Sequence, residues 1–440
     1  MKRVLLVTPH FPPVHKPDHQ RVRMSLPHWR EFGWDPTVLC VDHLCVPSAM
    51  DSLSRSVIDE GTDIVETGAW PHRITRLFGL GELGYRSYFH LKREGSRLIE
   101  EKKIDLVFFS TTVFPCMVLG KYWKKKYEVP YVLDFQDPWV SDYYDQPGAP
   151  PPPGGRLKYR LKRMVHQVME PVAVNHCDHV ISVSPAYPDV LTKRYPALQA
   201  EQCSEIPFGA SEQDFQIVEQ QGVQQQVFDA NDGMRHWCYI GRGGKDLHVA
   251  LSLLFKALVA IKKETPALVD NLRLHFIGTS YATADKAQKT IEPLAEEFGL
   301  GEVVEEQTAR IPFYEAMKTL QDAEVIMLIG SDDNQYTASK LYPCILARRP
   351  IFGIFHERSS VVRILKETNA GTCVTFNDEG NESSNVGCAN TLKNILEQGE
   401  VPPPDTNWQA FEPYTARSMT QKIAAIFDGI IASRDSNATN

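Results

Sequence analysis

Short apolar runs alternate along the chain with longer segments of helical spacing. Residues 4–8, 37–41, 64–67, 106–109, 129–133 and 180–183 are mostly apolar runs of four or five. Runs of that length bounded by turn residues are what strands buried on both faces of a sheet look like. Between the first two, a helical pattern capped by Asp18 runs through Arg21, Arg23, Leu26, Trp29 and Phe32 to Gly33, with Pro27 interrupting it. Further helices are expected over 89–101, up to Lys126 and up to Tyr195, while 70–88 is rich in glycine and aromatics without a clean period. The series restarts with strands at 237–240, 272–277, 303–304 and 325–329, and another strand begins at Pro350. Helical patterns separate these at 249–261, 284–298 and 311–320. Strand and helix in strict alternation predict an α/β protein with parallel sheets.

A single core rarely grows past roughly 250 to 300 residues, so 440 residues imply two domains. The expected division is a Rossmann-like domain over 1–215, a polar glutamine-rich linker or extension over 216–233, and a second Rossmann-like domain over 234–405. A helix over 406–432 is expected to cross between them, followed by a disordered tail over 433–440. The net charge of -8 argues against a general nucleic-acid binder. Nine cysteines without a CxxC pair read as reduced thiols of a cytoplasmic protein. The apolar run after Met1 ends at Pro9, too soon for a signal peptide. No run reaches the roughly 18 apolar residues of a membrane span, so membrane contact is expected to be peripheral, at the inner face of the cell membrane.

One segment fits such contact. From Arg156 to Pro171, apolar Leu157, Leu161, Met164, Val165, Val168 and Met169 share a stripe, and Arg156, Lys158, Arg160, Lys162 and Arg163 fill the remaining face. The helix can lie on an anionic bilayer. The more general explanation is a domain helix with its stripe in the core and its charges in water.

The polar chemistry collects where strands end. Gly241-Arg-Gly-Gly-Lys-Asp246 follows one strand, so Arg242 and Lys245 can neutralise a pyrophosphate facing the next helix start. Ser339 and Lys340 open the helix after 325–329 and meet the same kind of anion. In the first loop His10, His15, Lys16 and Arg21 can contact an acceptor or a phosphate. In Asp134-Phe-Gln-Asp-Pro-Trp139, Asp137 is the better functional carboxylate and Asp134 reads as a cap or turn residue. No HExxH, paired Cys/His set or Gly-x-Ser-x-Gly occurs, so neither a metal site nor acyl transfer is expected.

The order of these pieces resembles a glycosyltransferase of the GT-B architecture, close to glycosyltransferase family 4. The resemblance is carried by Phe11-Pro-Pro13 with Arg21, Asp134-Phe-Gln-Asp-Pro-Trp139, Val180-Ile-Ser-Val-Ser184 and Ile206-Pro-Phe-Gly209. It continues through Ile240-Gly-Arg242 with Lys245, and Ala323-Glu-Val-Ile-Met-Leu328 leading to Ser339-Lys-Leu-Tyr-Pro-Cys-Ile-Leu-Ala-Arg-Arg-Pro350. It implies two facing Rossmann-like domains, the first binding an acceptor and the second a nucleoside diphosphate-sugar (UDP or GDP). It further implies no metal or other cofactor, and retention of the anomeric configuration. Arg242 and Lys245, with Ser339, Lys340 and Leu341, would hold the donor diphosphate. Asp137 or His10 would orient the acceptor as the catalytic residues, with His15, Lys16, Arg21 and Trp139 on the acceptor side. The activity implied is sugar transfer to a glycan or lipid-linked acceptor in polysaccharide or envelope glycan synthesis. An epimerase or hydrolase of the same fold and a non-catalytic glycan-assembly or scaffold protein are the alternatives. The sequence departs from the family at Val14-His-Lys-Pro17, where paired glycines are usual. It departs again at Ser110-Thr-Thr112, where a histidine is usual, and at Pro343, where an acidic residue usually grips the ribose.

Overall fold

The structure is a computed structural model that describes residues 1–56, 58–141, 155–184, 186–280, 282, 286–332, 340–377, 382–399 and 401–438. The chain forms two compact units, Met1–Gly209 with Ala416–Asn440, and Ala210–Thr415. Each is built on one parallel sheet in the Rossmann manner.

In the first unit the strands are β1 (Lys2–Val7), β2 (Trp34–Val41), β3 (Asp63–Thr67), β4 (Leu106–Ser110), β5 (Tyr131–Phe135), β6 (His179–Ser182) and β7 (Cys203–Glu205), in the order β3-β2-β1-β4-β5-β6-β7. Successive side chains of a strand leave on opposite faces. Accordingly Leu5, Val7, Val107, Phe109 and Leu133 enter one core and Val4, Leu6, Phe108 and Val132 the other. Pro27 breaks the first helix as expected: Gln20–Ser25 is α-helical, Leu26–Phe32 is 3-10, and Gly33 stops it at φ 83°.

The second core face is covered from the far end of the chain. The helix Ala416–Ala438 places Met419, Ile423 and Phe427 on it. The Phe427 ring packs on Trp29 at 5.4 Å, Trp34 at 5.3 Å and Phe108 at 5.4 Å. The neighbouring Asp428 accepts from Trp34 Nε1 at 3.0 Å and Lys2 Nζ at 2.7 Å. This helix is therefore an integral layer of the first unit. It is also helical over 433–438, where a disordered tail was expected.

The second unit holds β8 (Arg235–Ile240), β9 (Leu272–Ile277), β10 (Val304–Gln307), β11 (Val325–Ile329), β12 (Ile351–His356) and β13 (Thr372–Phe376), in the order β10-β9-β8-β11-β12-β13. The expected linker begins inside structure: Glu212–Gln220 is a helix with Asp214, Phe215 and Val218 buried, packed on the helix Phe313–Asp322. Polar composition hid it, because only one narrow stripe is apolar.

The basic helix, Arg156–Val174, corrects the expected packing. Its buried residues are His166, Glu170, Ala173 and Val174, while Leu157, Leu161, Met164, Val165 and Val168 are exposed. Polar partners explain which face turns inward. Glu170 accepts from Arg194 Nη1 at 2.6 Å, the Tyr195 hydroxyl at 2.5 Å and the Val140 N–H at 3.2 Å. The Tyr159 hydroxyl donates to Ser141 O at 3.1 Å.

Candidate functional site

In an open parallel sheet, the loops leaving neighbouring strands at the point where the strand order reverses diverge and leave a crevice. These points fall between β1 and β4 in the first unit and between β8 and β11 in the second. The polar clusters lie at those two places.

In the first unit Asp18, in the loop after β1, bridges to the loop after β4. It accepts from the Thr111 hydroxyl at 2.9 Å and from the Thr112 N–H and hydroxyl at 3.2 Å. His10 Nδ1 donates to the same carboxylate at 3.0 Å. Burial alone raises the Asp18 carboxyl, but the hydrogen bond and charge of His10, the charge of His19 and the Thr111 hydroxyl outweigh it and hold it at about 2. Two threonines after β4 thus fix an Asp18–His10 pair. Asp137 is exposed at the neighbouring strand end; loss of hydration and then the Asp18 charge push its carboxyl up.

Arg21 and Trp139, both expected beside an acceptor, are core residues instead. Arg21 is fully buried, its Nε 2.8 Å from Asp134 Oδ2 and its Nη2 donating to Ile206 O at 2.7 Å. Its guanidinium also lies 4.9 Å from the Phe208 ring. Asp134 is consequently no turn residue. It lies in β5 and accepts from Ser110 Oγ at 2.7 Å and Gln136 Nε2 at 3.1 Å as well. Trp139 stacks on Phe114 at 5.3 Å. Of the other acceptor-side residues, His15 is half-buried and Lys16 exposed.

Beside Asp18, His19 is buried with Nε2 3.1 Å from Val14 O. Burial pushes its imidazole down from 6.5 to about 4, against the raising pull of Asp18. A folded-state value below the unfolded one means that the unfolded chain binds the extra proton. The contribution is therefore complete above pH 6.5 and is lost as pH falls toward 4. The loss is about 3 kcal/mol at its full extent. The thermal midpoint of the first unit, followed from pH 7 to 4.5, should fall less steeply in His19→Gln than in the unaltered protein.

In the second unit Gly241–Gly244 leave β8. Gly243 N donates to Thr279 O at 2.8 Å, and a Cβ there would stand 2.8 Å from Thr290 Oγ1, so only glycine lets the two loops meet. The far side of that contact is fixed by buried Glu306. Its carboxylate takes the Thr279 hydroxyl at 2.6 Å and the N–H groups of Ile291 at 2.8 Å and Glu292 at 3.0 Å. The loops after β8 and β11 are joined by Asp332 N donating to Asp246 O at 2.9 Å.

Three cations converge on this edge. Lys340 reaches solvent, yet burial of its surroundings pushes its ammonium down to about 8, with the charges of Arg310 and Arg242 adding to the fall. Arg242 is forked onto Asp246 at 2.8 and 2.6 Å. Burial raises the Asp246 carboxyl, but Arg242 and Ser331 hydrogen bonds bring it below its ordinary range. Lys245 is exposed at the first turn after the glycines. Leu341 starts the helix Leu341–Leu346 with a buried side chain, so only its backbone can serve a ligand. Ser339 lies outside the described residues.

Arg310 was not expected at the site. It follows β10 by three residues, and the signal that could have found it is that strand's carboxyl end. The strand was read only as far as Val304, because Glu305, Glu306 and Gln307 are polar. Elsewhere in the first unit, Asp42, His43 and Glu66 bring their polar atoms within 4.8 Å of one another, a grouping common on surfaces that hold no metal. Glu66 also pairs with Arg55 at 3.2 Å.

Residues 20–212 match the family model described as Glycosyltransferase Family 4. The whole chain superposes on solved structures of that architecture. A glycosyltransferase from Rickettsia africae ESF-5 aligns with TM-score 0.53 and 11% identity, over 98% of this chain and 99% of that one. Anabaena Alr3699/HepE, solved in complex with UDP, aligns with TM-score 0.51 and 13% identity over the full length of both. The chain has the two-domain GT-B fold. A third GT-B-fold alignment is to sucrose-phosphate synthase from Thermosynechococcus elongatus, with TM-score 0.52 and 13% identity, over 100% of this chain and 98% of that one. No curated protein matches the GT-B chain in sequence.

Proposed function

We propose that the chain is a retaining glycosyltransferase that moves a sugar from a nucleoside diphosphate-sugar to a glycan or lipid-linked acceptor on the cytoplasmic side, in polysaccharide or envelope glycan synthesis. The observation that carries this reading is the convergence of Lys340, Arg310 and Arg242 at the strand reversal of the second sheet. Charge grows on the departing diphosphate in the transition state, and fixed cations there lower the barrier without reorganising. The ordinary partner of Arg242 is Asp246, so the donor diphosphate competes with a carboxylate for the same fork. Solved Anabaena HepE structures with UDP and UDP-glucose support a uridine donor.

The acceptor hydroxyl is assigned to His10. With Nδ1 held by Asp18, Nε2 is the ring nitrogen left for the hydroxyl. That nitrogen orients the hydroxyl, while the leaving phosphate takes its proton. Exposed Asp137 is the second orienting group. Pro343 contributes no ribose contact through a polar side chain, so ribose selection falls to other groups of the second unit. Donor hydrolysis with UDP-, GDP- and ADP-sugars, paired with calorimetry on the free nucleotides, tests the proposal. Binding and slow hydrolysis of one donor class are expected. No binding and no turnover with any donor would leave a non-catalytic assembly protein as the correct reading.

A further inference from the structure

The helix Arg156–Val174 is turned inside out relative to an ordinary domain helix. Its inward line is Tyr159, His166, Glu170 and Ala173, and its outward line is Leu157, Leu161, Met164, Val165 and Val168. At 100° per residue the outward residues occupy roughly 100° of the circumference, opposite the buried line. Leu157 is 74% and Val168 69% exposed. Arg160 borders the stripe on one side, and Lys158 and Lys162 border it on the other.

A second exposed apolar segment adjoins it. Ile74, Leu77, Phe78 and Leu80 lie on the short turns His72–Thr75 and Arg76–Phe78 and just beyond, with Leu77 and Phe78 at 77% and 75% exposure. Lys162 Nζ meets Glu82 Oε1 at 2.6 Å, which holds the two segments side by side. Phe89 is exposed on the same stretch, tilted against Trp70 at 5.4 Å. Charge is sorted with the apolar groups. Residues 68–82 and 155–169 carry seven Lys and Arg and the single carboxylate of Glu82, within a chain whose net charge is -8.

We propose that these two segments together form a docking surface for an anionic lipid bilayer. The apolar side chains enter the boundary between headgroups and acyl chains, and the flanking cations stay at headgroup level. The choice of occupant rests on charge. A second copy of this chain would bring the same seven cations against themselves, whereas an anionic membrane offers negative charge beside an apolar phase. Docking is independent of the transfer reaction, since it needs neither donor nor acceptor.

Cosedimentation of the full chain with phosphatidylcholine vesicles, with and without phosphatidylglycerol, tests the proposal. Partitioning about tenfold or more stronger onto the anionic vesicles is expected, falling as salt is added. Leu157→Ser/Leu161→Ser/Val168→Ser and Leu77→Ser/Phe78→Ser should each abolish most of it. Arg156→Glu/Lys158→Glu/Arg160→Glu should remove the preference for anionic lipid. All of these positions are exposed, so thermal unfolding should be unchanged and loss of binding is readable as loss of the surface. Equal binding to neutral vesicles, no binding to either, or full binding by the apolar variants overturns the proposal. Concentration-dependent self-association that the same variants remove would overturn it in favour of a second copy.

Discussion

Replacing Arg21 with methionine is expected to destabilise the first unit by about 3–5 kcal/mol, the usual cost of stranding one member of a buried ion pair. The methionine leaves Asp134 fully buried with the Ser110 and Gln136 hydrogen bonds but no countercharge. It also leaves the Ile206 and Pro207 carbonyls without their donors at 2.7 and 3.3 Å. Arg21→Met/Asp134→Leu should recover a large part of the loss, because the pair together gains little over apolar groups of similar volume. Urea midpoints of the single and double variants check both statements. A stability change within about 0.5 kcal/mol for Arg21→Met, the range of ordinary surface substitutions, would contradict the buried position and restore Arg21 to the acceptor side.

The second large effect is catalytic. Lys340→Met should lower kcat for sugar transfer by about a hundredfold or more, the scale on which a fixed electrostatic group acts on developing charge, with a smaller change in donor KM. Its ammonium is held at about 8, and the sign follows directly. Below pH 8 the charged form that stabilises the departing diphosphate is present; as pH rises through 8 that stabilisation is lost. The kcat/KM for donor should decline on the alkaline side in the unaltered protein and stay flat there in Lys340→Met. An equal alkaline decline in both would place the responsible group elsewhere.

The periodicity of the chain made the two sheets legible because central parallel strands are buried on both faces and their composition says so. Leu272–Ile277 and Val325–Ile329 were bounded to the residue. Strands at the edges and ends were not. Cys203–Glu205 is partly exposed and polar, and Val304–Gln307 alternates buried and exposed residues with a buried glutamate that only its partners justify. The glycine loop at 241–244 and Lys340 were legible as positions beyond strand ends. Arg310 was missed with the end of its strand. Arg21 and Asp134 were misplaced because sequence shows charge and not its counterion, which here lies 113 residues away. The helix Arg156–Val174 was legible as amphipathic but not in its orientation, since both faces carry residues able to be buried and only Arg194 and Tyr195 decide which one is.

The covering of the first sheet by Phe427 has a consequence in time as well as in space. A ribosome adds about 5–20 residues per second, so the stretch from Ala210 to Thr415 takes about 10 to 40 s to make. Throughout that interval the Trp29, Trp34 and Phe108 side of the nascent sheet has no lid. The second unit, contiguous in sequence, can close its own core first. The part of the protein made earliest is therefore finished last, with its aromatic face open to solvent in the meantime.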